Sequence, residues 1–159
     1  AAHERILFDR IQAKDAGEQP AESLLEPAMV DLSPAQVEVL QKNSETLTRY
    51  GYRLESFGAN AYLVRAVPSI LSDQDPGQGL LNVLDMVAFE GLLRQQEDVL
   101  AASIACHSAI RAGKSLSDAE MRSLLEQLEA TTNPHTCPHG RPTMLHFSSF
   151  HMEREFGRR

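Results

Sequence analysis

Cys137-Pro138-His139-Gly140-Arg141-Pro142-Thr143 places two good metal ligands two residues apart near the C-terminus. In an extended backbone, residues i and i+2 point to the same side, so Cys137 and His139 can reach one ion together. Pro138 assists, because the residue before a proline is pushed out of the helical region. A strand-like run over residues 143–148 follows at once. The competing reading is an ordinary turn with a buried thiol, since zinc generally takes four ligands. The remaining ligands must come from elsewhere in the chain, so the fold has to return distant segments to this turn.

Outward from the turn, residues 117–120 (Ser-Asp-Ala-Glu) form a capping box that opens a helix with Met121, Leu124, Leu125 and Leu128 facing inward. Residues 97–111 are predicted as a helix with Val99, Ser103, Cys106 and Ile110 along one stripe, ended by Gly113. Another helix is expected over residues 80–94, after a loop over 73–79 rich in Asp, Gly and Pro. Residues 52–57 and 61–67 read as strands joined by Gly58-Ala59-Asn60, which is hairpin chemistry. Ser33-Pro34-Ala35-Gln36 carries an N-cap, a proline at the first helical position and Gln three residues on, predicting a helix to about Arg49 that stops at Gly51. Residues 23–32, interrupted by Pro27, read as an edge strand. Residues 1–14 form an amphipathic helix with Leu7, Phe8 and Ile11 on one side. A short helix ending near Phe156 closes the chain. The pattern is α+β, in two packed subdomains.

The 159 residues, 42% of them hydrophobic, suffice for one sizeable core or two small ones. No apolar run is long enough to span a bilayer and no signal peptide is present, so the chain reads as soluble and cytoplasmic, without a membrane partner. Its two cysteines are expected to be reduced thiols. A formal net charge of −7 is unlike a free-standing DNA-binding domain, whose affinity comes largely from phosphate contacts. The first residues open inside a helical pattern with no preceding cap, as a fragment of a longer protein would.

Glu4 is the first candidate partner for Cys137 and His139, against the plain reading of a solvated glutamate. Cys106, in Ala105-Cys106-His107-Ser108-Ala109-Ile110, is the second, against that of a small core side chain. His107 points about a quarter turn away from it. Two cysteines, a histidine and a glutamate would make a four-ligand set suited to zinc. Arg141 can hold a phosphate or carboxylate, or simply stabilise the turn. His135, His146 and His151 remain unassigned, His146 reading as a strand histidine.

Three segments together resemble the C-terminal domain of the mismatch-repair protein MutL, of the endonuclease-active type. That family's first motif runs Asp-Gln-His-Ala, two variable residues, Glu, four variable residues, Glu. Ala1 matches its alanine and Glu4 its first glutamate, while Asp9 stands at the second. The second motif, Ala-Cys-Lys, a small residue, Ala-Ile and a basic residue, is matched by residues 105–111 with His107 in place of lysine. The third, Cys-Pro-His-Gly-Arg-Pro, is matched in full at residues 137–142. Residues 54–65 also resemble the family's middle region.

The resemblance implies a homodimer with a latent, metal-dependent activity that nicks one strand of duplex DNA. Glu4, Cys106, Cys137 and His139 would be metal ligands, and Glu4, Asp9 and Arg141 catalytic. Zinc is expected in a regulatory or structural role, and manganese or magnesium for turnover. Residues 1–20 and 97–159 would form the dimerisation subdomain that carries the metal site, and residues 21–96 an inserted regulatory subdomain. Glu22, Leu24, Leu25 and Pro27 fall where the family docks on the replicative sliding clamp, with Glu22 where glutamine is preferred. An N-terminal ATPase domain of the same protein and the mismatch-recognition protein MutS are further implied partners, at the nucleoid during repair. The family's Asp-Gln-His would precede Ala1, so the chain as written is expected to be a weak nuclease. The rival reading is a non-catalytic dimerisation and recruitment module with a structural zinc.

Overall fold

A computed structural model describes residues 1–13, 20–90, 96–111 and 113–157. Its elements, in chain order, are α1 (Ala2–Ala13), β1 (Ala21–Asp31), α2 (Pro34–Lys42), α3 (Ser44–Arg49), β2 (Arg53–Ser56), β3 (Ala61–Pro68), a 3-10 turn (Ser69–Leu71), α4 (Pro76–Glu90), α5 (Gln96–Ser108), α6 (Asp118–Glu129) and α7 (Ser149–Glu155). The fold is α+β: helices around one antiparallel sheet of order β1-β3-β2. A continuous hydrophobic cluster joins Leu7 and Ile11 of α1, Val64 and Val67 of β3, Leu80 and Leu84 of α4, and Leu100 and Ile104 of α5. The expected subdomain boundaries adjoin residues 14–19 and 91–95, which lie outside the described residues, as do the last residues of the helix expected to reach 94.

Helix α5 is central. Residues 99–105 are all buried, so the expected single stripe is replaced by burial on every side. Ala101, Ala102 and Ala105 let α1 and α4 pack closely against it. Ser103, fully buried, returns its hydroxyl to the Val99 carbonyl at 2.8 Å and leaves no polar orphan. The helix ends at Ser108, short of the expected Arg111. One reason is visible: the Ile110 N–H donates to His3 Nδ1 at 2.9 Å instead of continuing the ladder.

The helix expected to run unbroken to Arg49 breaks at Asn43. This buried residue donates both its backbone N–H and its side-chain Nδ2 toward the Val39 carbonyl, at 3.1 and 2.8 Å. A side-chain amide competing for a helical carbonyl interrupts the regular ladder. The Ser33 capping box forms as expected. Gly51 ends α3 at φ 100°, with Tyr52 N–H donating to Leu47 O and Gly51 N–H to Thr48 O, the paired bonds of a Schellman stop. A Cβ there would lie 3.1 Å from Pro68 Cα and 3.2 Å from Pro20 O, so glycine also lets α3 approach the ends of β1 and β3.

Helix α4 starts at Pro76, inside the expected loop. Asp75 caps it by accepting from Gln78 N at 2.6 Å, with proline at the first helical position. The strand expected over 143–148 does not form; residues 143–147 are irregular, with one isolated bridge, Thr136 to Pro142, nearby. A strand needs a neighbour, and no other strand lies beside it among the described residues. On α6 only Leu128 is buried, with Leu124 half-buried and Met121 and Leu125 exposed, so the expected inward face is largely uncovered.

Candidate metal centre

The residues 137–140 form a tight turn. Gly140 N–H donates to Cys137 O at 2.9 Å, with Pro138 at the second position, where its fixed φ is ready-made. Gly140 takes φ 79° and the chain then pairs again, Cys137 N–H donating to Arg141 O at 2.8 Å. This is the three-residue hairpin loop in which a turn is followed by a left-handed glycine. Thr143 N–H closes the next rung on His135 O at 3.0 Å. Cys137 is buried, and its Sγ accepts from the Arg141 N–H at 3.3 Å.

Three of the four expected ligands converge. One donor atom each from Glu4, Cys106 and His139 lie within 4.8 Å of one another, all half-buried. Glu4 comes from the first turn of α1, Cys106 from the last turns of α5, and His139 from the hairpin loop. His139 Nδ1 lies 3.5 Å from Glu4 Oε2. That carboxylate oxygen is buried and accepts no hydrogen bond, a costly condition that a cation relieves. A carboxylate, an imidazole and a thiol suit zinc, and three protein ligands leave room for a fourth group. Manganese and magnesium favour oxygen, which only Glu4 offers in this trio.

Cys137 is not a member of this cluster. The reason is the turn: its side chain faces inward, onto the Arg141 amide, while His139 at the apex faces Glu4. An i, i+2 pair shares a side only in extended backbone, and this backbone is a turn. Asp9 also lies outside. Five residues from Glu4 on a helix, it sits about 140° around the axis. Its carboxylate accepts from Thr132 N at 2.7 Å, Thr132 Oγ1 at 2.8 Å and Arg5 Nη1 at 3.3 Å. Arg141 is exposed.

His107 is not a member of the donor cluster. Burial, and secondarily the Arg111 charge, hold its pKa below the ordinary 6.5, against a hydrogen bond with the Asn82 backbone. His135 and His146 are exposed, and His151 stacks on Phe147 with ring centroids 5.5 Å apart. Two residues were missing from the expected set. His3 ties the start of α1 to the segment just after α5, and Arg5 donates through Nε to the Thr136 carbonyl at 2.7 Å. The Arg5–Asp9 spacing of four was a readable signal for an ion pair; the Thr136 carbonyl was not.

Residues 22–27 lie where β1 leaves its ladder. Ser23 pairs with Ala66 and Ala28 with Val64, so four residues bulge opposite Arg65 alone. Leu25 is completely exposed and Pro27 exposed, while Leu24 packs against the core.

The family model described as the MutL C terminal dimerisation domain matches residues 1–116. This chain belongs to that family. The DNA mismatch repair protein MutL of Acidiphilium cryptum is 42% identical over 99% of the chain, and those of Mesorhizobium japonicum and Caulobacter vibrioides are 39% and 38% identical over all of it. The chain spans 28%, 26% and 26% of those relatives' lengths. It is thus a MutL C-terminal dimerisation domain with a three-residue donor cluster at the junction of α1, α5 and the hairpin loop. No helix among the described residues is long and apolar enough to cross a membrane.

Proposed function

We propose that this domain pairs two copies of a mismatch-repair protein and carries a metal centre for latent nicking of one strand of duplex DNA. The observation that carries the reading is the convergence of Glu4, Cys106 and His139, from three distant parts of the sequence, around a carboxylate oxygen with no hydrogen bond. Zinc fits this donor set, with manganese or magnesium acting at turnover. A divalent cation, when bound, supplies Lewis acidity toward water and offsets charge on a phosphate. The chain's own part is to hold the donors: α1 presents Glu4, α5 presents Cys106, and the tight turn presents His139, all at a half-buried site.

All three donors lie within residues 1–20 and 97–159, which supports treating those segments as the dimerisation part and residues 21–96 as regulatory. The family's description supports a homodimer, and the exposed Met121 and Leu125 of α6 offer apolar surface for it. The bulge with Leu25 and Pro27 outward supports docking on a sliding clamp, since a protruding apolar side chain is the usual anchor for a groove. The ATPase domain and MutS complete the proposed partners. A net charge of −7 keeps unaided DNA affinity low, as a nuclease that waits for a partner requires.

Metal content by mass spectrometry, on protein purified without added metal, tests the centre. About one zinc per chain is expected, lost in the Cys106→Ser, His139→Ala double variant; metal-free wild type would defeat the reading. Asp9 engaged with Thr132 favours a second reading, a structural zinc in a non-catalytic module. Nicking of supercoiled plasmid with manganese, by a chain of the relatives' full length, separates the two.

A further inference from the structure

The geometry points to Arg5 and Asp9 as a positioning pair that sets His139 beside Glu4; the inference rests on the metal-centre reading above. The loop from residue 130 to 143 contains no helix or strand, so its place against α1 depends on specific bonds. Two of its residues are anchored to this pair. Asp9 holds Thr132 by backbone and hydroxyl, and Arg5 holds the carbonyl of Thr136, immediately before Cys137. The two anchors are joined by the Arg5–Asp9 ion pair, and the guanidinium lies over the Phe8 ring at 5.3 Å. Arg5 is buried, with side-chain exposure of only 10%, so its bonds are shielded from water and from competing ions.

Helix α1 therefore does two things from adjacent positions. Glu4 supplies a donor, and Arg5 with Asp9 fixes the segment that brings His139 to that donor. Asp9, at the position of the motif's second acid, acts on the loop rather than on the cluster. Charge-assisted bonds suit the task, because a rigid ligand set loses less freedom on binding an ion.

The test uses the whole 159-residue chain with Asp9→Ala, the conservative Asp9→Glu and the milder Thr132→Val. Zinc affinity is read by competition with a chromophoric chelator, and the imidazole resonances of His139 are recorded in metal-free protein. Asp9→Ala is expected to weaken zinc about 10–100-fold, the scale seen when a group that supports a ligand set from outside the site is lost. Asp9→Glu should recover most of that loss, and Thr132→Val should fall between wild type and Asp9→Ala. In metal-free Asp9→Ala, the His139 resonances should move toward those of a solvated histidine while amides of α2 to α4 keep their positions. Wild-type zinc affinity in Asp9→Ala, or unmoved His139 resonances, overturns the proposal. If wild type itself binds no zinc, the metal-centre reading fails, and the His139 resonances alone then settle whether the pair positions the loop. Should Asp9→Ala not fold, Thr132→Val carries both readouts.

Discussion

Helices α5 and α6 are nearly equal in length, 13 and 12 residues, yet sit in opposite surroundings. Residues 99–105 of α5 are entirely buried, between α1, α4 and the 3-10 turn. Of the leucines on α6 only Leu128 is buried, although its Ser117 capping box is complete. A good cap and an apolar stripe make a helix, but only neighbours bury it. Residues 144–156 continue the contrast, with Leu145, Phe147, Phe150 and Phe156 all more than half exposed. The segment that precedes residues 144–156 is tied to α1 by polar bonds, Arg5 and Asp9 to the loop and Arg10 to Gln127. The ligand turn sits at the boundary between the tightly packed part and the sparsely packed one.

The contrast breaks most visibly in paired truncations. Leu100→Ala, at a fully buried position, is expected to cost about 2–5 kcal/mol in urea unfolding. Leu125→Ala, at 57% exposure, should stay within about 0.5 kcal/mol in the isolated chain at low concentration. Equal costs would show that α6 is covered in solution by something other than this chain's own helices. Gly51→Ala comes next. It combines a left-handed φ with contacts of 3.1 and 3.2 Å to backbone atoms, and should lower stability by about 1 kcal/mol or more. A neutral Gly51→Ala would mean that α3 does not lean on the sheet ends as described.

The smallest effect is a pH dependence at the α1–α5 contact. Burial first, then the Arg10 charge and, more weakly, that of Lys114, hold His3 below its ordinary 6.5. Its Nδ1 accepts from Ile110 and so must be unprotonated. The unfolded chain then binds the proton more readily than the folded one. This contribution is present above pH 6.5 and diminishes as pH falls through that value toward the lowered folded pKa. In metal-free protein the melting temperature should fall over that interval, and His3→Gln should flatten the profile. An unchanged slope in His3→Gln would place the dependence elsewhere.

Much of the local structure was legible because it is written in neighbouring residues. The caps at Ser33 and Ser117, the stop at Gly51 and the edge strand with Pro27 inside it all follow from short-range chemistry. The Asp75-Pro76 start of α4 carries the same kind of signal, set among glycines and acids that read as a loop. The break at Asn43 was not legible, because an asparagine interrupts a helix only where burial leaves its amide a helical carbonyl as partner. The strand over 143–148 failed for the opposite reason: residues of strand type remain irregular without a strand to pair with.

For the site, the sequence by itself determined the residue types and the turn. Proline and glycine around His139 specify a tight loop whatever lies beyond it, because their backbone preferences are intrinsic. Only the tertiary structure decided which donors meet. Glu4 and His139 are 135 residues apart, and packing of α1 on α5, with Arg5 and Asp9 gripping the loop, brings them within reach. The same packing turned Cys137 toward the Arg141 amide and Asp9 toward Thr132, away from the cluster. Spacing along a chain constrains which side chains can share a face, but which faces meet is set by the burial of the whole core.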